Sequence, residues 1–387
     1  MWTGPSRYFT EEHQIFREQV RSFVAKEVTP FIDRWEAEGL FPKPLYRRMG
    51  ELGFLGIRFP EKYGGSDGDI WMTLAFTEEL CRCRAMGLPM SVLVHTDMSA
   101  THIARYGSED LKQTYLVPMI RGDKVCAIAV SEPAAGSDVA GIETTAVRDG
   151  DHYVINGSKL FITNSVHGDV FCLAAKTRKD AGHKGISLIV VERGTPGFRL
   201  AKKLVKMGNH SSDTGELVLE DVRVPRGNLI GEENQGFYYI MRNFQDERVV
   251  AAAMAVGAAQ QAAEDTLRYV RERRTFGKRV FDHQAIRHRF ADVVTELEAA
   301  RQLNYYAADL LQRGEPCEVQ VSMAKLYAAE ATNRIAYECL QFHGGYGYMQ
   351  EFPIERFLRD VRLTPIGAGT SEIMREIIAK RGLDEGT

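Results

Sequence analysis

Two stretches of the 387-residue chain hold residue types that bind ligands. The first is Ala129-Val130-Ser131-Glu132-Pro133-Ala134-Ala135-Gly136-Ser137-Asp138, a Ser/Gly/Asp turn at the end of a β-type run. Small residues there let backbone N–H groups approach a flat or anionic ligand, although an ordinary surface loop has the same composition. The second is Gln341-Phe342-His343-Gly344-Gly345-Tyr346-Gly347-Tyr348, where three glycines within four residues break a helix and expose its backbone. They do not follow a strand in the G-x-G-x-x-G spacing, so a dinucleotide fingerprint is a poor fit. Arg356 and Asp360 lie just beyond, four apart, the spacing of a helical ion pair. The ten histidines show no His-Glu-x-x-His or other ligand spacing, so no metal is expected.

The elements that must position these stretches fall into three textures. Residues 1–122 read as helical. Thr10 before Glu11, Glu12 and His13 is an N-cap with an acidic first turn, and Ile15, Phe16, Val20, Phe23 and Val24 recur at helical spacing. Pro42, Pro44 and the 64–68 Gly/Ser/Asp loop divide this region. Residues 123–235 change period. Asp149-Gly150 between alternating runs predicts a hairpin, and short β-type runs follow at 170–174, 186–191 and 217–224, which together predict an antiparallel β domain. From 236 to 387 the texture is helical again. A long stripe runs from Ile286 through Phe290, Val293, Leu297 and Ala300 to Leu310, and the Ala-rich segments 251–263 and 324–336 permit close packing, as in a four-helix bundle. The expected class is therefore α+β, with a helical domain, a β domain and a helical bundle. This order is not the alternation of a Rossmann sheet.

Composition narrows the function. With 44% hydrophobic and 26% charged residues the chain can build the core of a globular enzyme. A formal charge of −3, with both signs mixed, offers no basic excess to neutralise phosphates, which gives no reason to propose a nucleic-acid partner. The six cysteines form no Cys-x-x-Cys pair and read as reduced core residues. The most apolar run, 251–259, is too short and too Ala-rich for a membrane span, and residues 1–10 lack the apolar core of a secretory signal. A cytoplasmic location is the expectation.

Both ligand-type stretches resemble the two signature patterns of the acyl-CoA dehydrogenase family. Phe161-Ile162-Thr163-Asn164 is similar to that family's flavin segment, and Arg273-Arg274-Thr275-Phe276-Gly277-Lys278 to its Arg-x-x-Phe-Gly segment. Order and spacing agree over nearly the whole chain. The resemblance implies FAD as cofactor, lined by Ile128, Val130, Ser131, Gly136 and Ser137 and by Phe161, Ile162 and Thr163, with the Thr163 hydroxyl near the flavin N5 edge. It implies that Arg273, Phe276 and Gln284 reach the FAD of a neighbouring subunit, the arginine fork suiting a diphosphate. Gln341, His343, Gly344 and Gly345 would complete that site, while Thr370, Ser371 and Glu372 close the flavin's own side. Such sharing requires at least a dimer, and the family norm is a homotetramer.

Desaturating a Cα–Cβ bond needs a carboxylate within reach of the α-proton. Most family members carry it just before the Gly-Thr of a Gly-Thr-Ser-Glu segment. Here that segment reads Gly367-Ala368-Gly369-Thr370-Ser371-Glu372, and Ala368 accepts no proton. The isovaleryl-CoA and long-chain dehydrogenases lack the same glutamate and use one before an arginine on another helix. Glu247, in Phe244-Gln245-Asp246-Glu247-Arg248, matches that position. Asp246 should point about 100° away around the helix. The resemblance thus implies Glu247 as base, its pKa raised by burial. It also implies hydrogen bonds to the thioester carbonyl from a flavin ribityl hydroxyl and a backbone N–H near Ala368, hydride transfer to N5, and an electron-transfer flavoprotein as acceptor. Ser137, Tyr238, Gln245, Arg248, Ala368 and Gly369 would meet the acyl-CoA. His343 reads as a packing residue, and Phe237-Tyr238-Tyr239 as core, with Tyr238 also placed to wall the acyl site.

The segment 88–98 resembles long-chain and isoprenoid-acyl dehydrogenases, which points to a medium-to-long or methyl-branched acyl-CoA. Two other classes compete. An oxygen-using flavoenzyme on the same fold, an acyl-CoA oxidase or flavin monooxygenase, would reoxidise rapidly in air. A non-enzymatic thioester binder, for which Ala368 speaks, would take up no FAD.

Overall fold

The computed structural model describes residues 7–384. Its first region is helical: α1 (Glu11–Phe23), α2 (Ile32–Glu38), α3 (Pro44–Glu51), α4 (Ile70–Leu80), α5 (Gly87–Leu93), α6 (Thr101–Tyr106), α7 (Glu109–Leu111) and α8 (Val117–Ile120). Thr10 caps α1 as its position predicts, its N–H donating to His13 Nδ1 at 2.9 Å. Asp69 caps α4, accepting from Met72 N–H at 2.9 Å. A wider, π-helical stretch, Val94–Ala100, joins α5 to α6 and is buried throughout.

The central region is a sheet of β1 (Cys126–Ala129), β2 (Thr145–Asp149), β3 (His152–Thr163), β4 (Val170–Lys176), β5 (Ile186–Glu192), β6 (Phe198–Lys203), β7 (Thr214–Pro225) and β8 (Leu229–Ile230). The order is β6-β7-β3-β2-β4-β5-β8, with β1 on β4. The predicted hairpin joins β2 and β3, Asp149 opposite His152, with Gly150 at φ +58° supplying the left-handed turn. Most pairings are antiparallel, as expected, but β1 runs parallel to β4, and β2 meets β4 in parallel at Thr145. The chain passes from β1 to β4 through the 130–144 loop and the β2–β3 hairpin, a crossover long enough to set the two strands parallel. Strands β4 and β5 are buried on both faces, hence their unbroken apolar runs. Cys126, Val170, Cys172, Leu188 and Val190 face the N-terminal helices, while Ala127, Phe171, Leu173 and Ile189 face the β domain's own core.

The third region holds α9 (Gly236–Glu272), α10 (Gln284–Gln312), α11 (Glu318–His343), α12 (Pro353–Val361) and α13 (Ser371–Ile378). Alanines on facing surfaces bring α9 and α11 together, and the stripe from Phe290 to Leu310 buries α10 against them. The short α13 packs on α11, and the N-terminal α4 lies against α9. Gly257 permits that last approach, since a Cβ there would lie 2.7 Å from Glu78 Cα. One core joins first and last regions, from Phe23 and Phe76 to Val250, Ala259, Phe290 and Phe342.

Two expectations need correction. Arg356 does not pair with Asp360: its Nη2 donates to Asp33 at 2.7 Å, and Asp360 accepts from the backbone N–H groups of Asn209 and Met86. Tertiary partners outcompete the helical neighbour. Tyr238 is not core but 43% exposed, edge-on to Phe237, whereas Tyr239 stacks on Tyr106 at 3.9 Å. No helix among the described residues is long and apolar enough to cross a membrane.

Candidate active site

Glu247 sits mid-helix on α9, 5% exposed. A long helix in contact with α4, α6, α10, α11 and the 94–100 stretch leaves little solvent at that turn. Burial pushes its carboxyl up to about 8, and the Asn243 amide, donating to Oε1 at 2.7 Å, and Arg248 pull the other way. Its Oε2 makes no hydrogen bond among the described residues. Asp246 faces elsewhere, as the 100° step predicts. It takes Arg58 Nη1 at 2.6 Å and Arg105 Nη2 at 2.9 Å. Burial works to raise the Asp246 carboxyl, but the two arginines hold it below the usual range. The two neighbouring acids thus have opposite characters: one held in the ionised form by two arginines, one bonded by a neutral amide and raised by burial.

The segment joining α12 to α13 lies near Arg248, the next residue along α9. Ala368 and Gly369 both adopt left-handed conformations, φ +52° and +91°. For alanine this costs on the order of 1 kcal/mol, so surrounding contacts must impose it. They do. Lys325 of α11, a buried ammonium, donates to the Gly369 carbonyl. Arg248 flanks the same residue, since a methyl on Gly369 would lie 3.8 Å from its Nη2. Burial lowers both cations, Lys325 to about 8 with the Arg248 charge adding to it. Thr370 then caps α13, its hydroxyl accepting from Ile373 N–H at 3.2 Å, with Ser371 buried and Glu372 exposed. Gln245 turns toward α11, its Oε1 3.7 Å from Cys317 Sγ. Sequence reasoning missed Asn243, Arg105 and Lys325. An asparagine four residues before Glu247 and a lysine inside an Ala-rich stripe were the available signals.

A second group gathers where β1 and β3 end. Leu160 N–H donates to Ser131 O at 2.9 Å, bringing the 128–131 run beside Phe161, Ile162 and Thr163. Asn164 ties both strands to α5, its Nδ2 donating to Cys126 O at 3.2 Å and Ser91 O at 2.9 Å. Phe161, left-handed at φ +61°, turns out of a buried strand and is 66% exposed. Gly136 and Ser137 are exposed on the turn beyond, and a Cβ at Gly136 would meet nothing within 4 Å. The Asn243 amide reaches the Asp97 carbonyl at 3.1 Å, and the 94–100 stretch meets β1 through His95, which accepts from Cys126 N–H at 3.0 Å.

The third group is elsewhere. Arg273 lies over the Tyr346 ring at 5.3 Å. His343 stacks on Tyr269 at 4.3 Å and meets the Cys339 carbonyl through Nδ1, a packing role as expected. Gly344 and Gly345 have open space where a Cβ would point, and Gln341 and Gln284 are exposed. Phe276 is 95% exposed on a two-stranded turn. The exposed ring at 161, hydroxyls at 131, 137 and 163 and bare backbone at 136 are suited to the flat part of a flavin dinucleotide; in the separate third group, the bare backbone at 344 and 345 and the Arg273 guanidinium, which has no hydrogen bond or ion pair among the described residues, are suited to a diphosphate. Among the described residues no cluster of His, Cys, Asp or Glu is placed to hold a metal.

Three family models cover the chain in order: the acyl-CoA dehydrogenase N-terminal domain at 10–123, middle domain at 127–222 and C-terminal domain at 234–383. The chain is 41% identical over 380 residues to the rat mitochondrial long-chain specific acyl-CoA dehydrogenase, covering 98% of this chain and 88% of the relative. It is 40% identical over 371 residues to a short-chain specific acyl-CoA dehydrogenase of Clostridium acetobutylicum, covering 96% and 97%. The crystal structure of an acyl-CoA dehydrogenase from Geobacillus kaustophilus superposes with a TM-score of 0.95 at 44% identity, covering 97% of this chain and 99% of that one. The chain belongs to the acyl-CoA dehydrogenase family, flavoprotein oxidoreductases acting on CH–CH bonds.

Proposed function

We propose that the protein desaturates a medium-to-long or methyl-branched acyl-CoA to the trans-2-enoyl-CoA in the cytoplasm, with Glu247 as base. The observation that carries this is a buried carboxyl with one oxygen unbonded among the described residues, on a helix whose next residue, Arg248, flanks a left-handed loop with alanine at 368. FAD, when bound, supplies the acceptor at N5 for the β-hydrogen and its electron pair.

Glu247 takes the α-proton at its free oxygen. Burial keeps its proton affinity near neutrality, as a base at carbon requires. The backbone around Ala368, held by Lys325 and flanked by Arg248, offers N–H groups to the thioester oxygen as negative charge develops there, where exclusion of water strengthens them. Ser137, Tyr238, Gln245, Ala368 and Gly369 meet the thioester, with Arg248 beside them. Ile128, Val130, Ser131, Gly136, Phe161, Ile162, Thr163, Thr370, Ser371 and Glu372 line the flavin of their own subunit. Arg273, Phe276, Gln284, Gln341, His343, Gly344 and Gly345 serve that of a neighbour, in a homotetramer. Phe276, 95% exposed on its turn, is open to contact with another subunit, as this last assignment requires. An electron-transfer flavoprotein is the acceptor, and 1–122, 123–235 and 236–387 are the domains.

Anaerobic bleaching of the flavin by a chain-length series of acyl-CoAs, in wild type and Glu247→Gln, tests the reading. Bleaching by wild type alone, best with long or branched chains, is expected. Best bleaching by butyryl-CoA overturns the substrate, and a Glu247→Gln enzyme with normal bleaching overturns the base. Rapid reoxidation of the reduced enzyme in air would favour an oxygen-using enzyme.

A further inference from the structure

Among the described residues the Glu247 carboxyl has a single side-chain hydrogen-bond partner, and it is on its own helix. Asn243, one turn earlier and 1% exposed, donates from Nδ2 to Glu247 Oε1 at 2.7 Å. The same nitrogen donates to the Asp97 carbonyl at 3.1 Å, and Oδ1 accepts from Arg105 Nη1 at 3.2 Å. These neighbours fix the amide's orientation. Turned over, its oxygen would face the carbonyl oxygen of Asp97 and its NH2 would face a guanidinium, two repulsive contacts in a dry site. Arg105 also holds Asp246, so one guanidinium anchors both the amide and the neighbouring acid.

We infer, on the reading of Glu247 as base, that Asn243 is its positioning residue: the amide clamps Oε1, leaves Oε2 to take the α-proton, and is itself locked by Arg105 and the Asp97 backbone. An unclamped carboxyl on a glutamate side chain can turn about its terminal bond and present either oxygen or neither. The clamp also favours the ionised form, because a donor stabilises the carboxylate more than the acid.

The charges facing Glu247 bear on that titration. On α9 they are Asp246, neutralised by Arg58 from the loop before α4 and Arg105 from α6, and Arg248. From the 94–100 stretch comes Asp97, whose carboxylate accepts from the Thr96 hydroxyl at 2.6 Å. From α11, Glu318 and Lys325 act on Arg248. None of them bonds to the Glu247 carboxyl, so Asn243 is the group whose removal changes its hydrogen bonding.

The test uses the FAD-loaded enzyme with Asn243→Asp, which keeps the shape and an acceptor for Arg105 but loses the donor, and Asn243→Leu, which adds no charge and covers the case of a misfolded aspartate. Two quantities are read: the acidic limb of kcat/KM against pH, and the titration of the Glu247 carboxylate band by pH-difference infrared spectroscopy without substrate, assigned by its absence in Glu247→Gln. Both should move upward by about one pH unit, a tenfold loss of kcat/KM below the limb, and more for aspartate than for leucine. If Glu247→Gln loses turnover while both Asn243 variants titrate as wild type, the positioning role is overturned and the base stands. If Glu247→Gln keeps turnover, the base itself falls, and this inference with it.

Discussion

A carboxyl that removes a proton from carbon works best when its own proton affinity is close to that of the medium. Glu247 reaches about 8 because burial penalises its charge more than Asn243 and Arg248 relieve it. The base must be ionised, so kcat/KM should rise with pH and level off above about 8, as a pH-rate profile on the free enzyme would read. Removing a positioned general base costs about 10²–10⁴-fold. Glu247→Gln should lose that much in the rate of flavin reduction, with the FAD content unchanged. The same carboxyl has a cost in stability. Its folded pKa lies above its unfolded one, so the stability it contributes is complete below the unfolded value near 4.5 and declines until the pH passes about 8. Glu247→Gln escapes that decline. Relative to wild type, its apparent Tm should therefore gain more at pH 9 than at pH 5. Thermal melts at both values check this, and an equal gain at each would contradict it. The sequence showed the pairing of a lost carboxyl at 368 with a gained one at 247. It could not show that Asp246 is neutralised by Arg58 and Arg105, since those partners lie 188 and 141 positions away in the chain (246 − 58; 246 − 105).

Elements place these side chains through close approaches that tolerate no extra atoms. At Gly257 the α9 backbone runs against α4, and an added methyl would fall 2.7 Å from Glu78 Cα, a backbone atom that cannot swing aside. Gly257→Ala should therefore destabilise by about 1–3 kcal/mol, the cost of overpacking, although alanine is the better helix former. Urea unfolding would measure it, and a stabilised variant would show that α4 and α9 separate freely. The loop between α12 and α13 depends on Lys325 in the same way. Lys325→Met keeps the buried stem but leaves the Gly369 carbonyl unpaired, with a loss of about 1.5–3 kcal/mol. Because that loop flanks Arg248, the neighbour of the proposed base, kcat should fall in the same variant while FAD stays bound. Turnover and flavin absorbance measured together decide this. The alternation around Asp149-Gly150 and the stripe along α10 made their elements legible. The parallel seating of β1 on β4 was not, because a four-residue strand carries no mark of its partner's direction.

At the scale of the molecule, the proposed flavin-binding residues divide into groups that one chain does not all bring together. Arg273 and the 341–345 segment hang together through Tyr269 and Tyr346, with Gly344 and Gly345 exposed and His343 buried, while Phe276 stands exposed on its turn beside His283. If this group serves a neighbour's cofactor, Arg273→Ala should lower the FAD bound per subunit by about tenfold or more in affinity, since a charged hydrogen bond is worth about 1.5–3 kcal/mol. The A450/A280 ratio after gel filtration reads the occupancy, and light scattering on the same peak reads the assembly. A monomer that retains its FAD would contradict the shared site.

The residues alone determined the family, the succession of helical, β and helical regions, and the presence of a glutamate at 247, the proposed base, in a chain with alanine at 368. Those properties are carried by local spacing and by residue identity, which a linear text preserves. Only the tertiary structure decided that Asn243 clamps that glutamate, that Arg105 locks the clamp, that Arg356 turns from Asp360 to Asp33, and that Lys325 holds the 368–369 turn. Each of these joins a buried polar group to the partner that packing brings nearest, and in a dry interior such a group must bond to whatever the fold supplies.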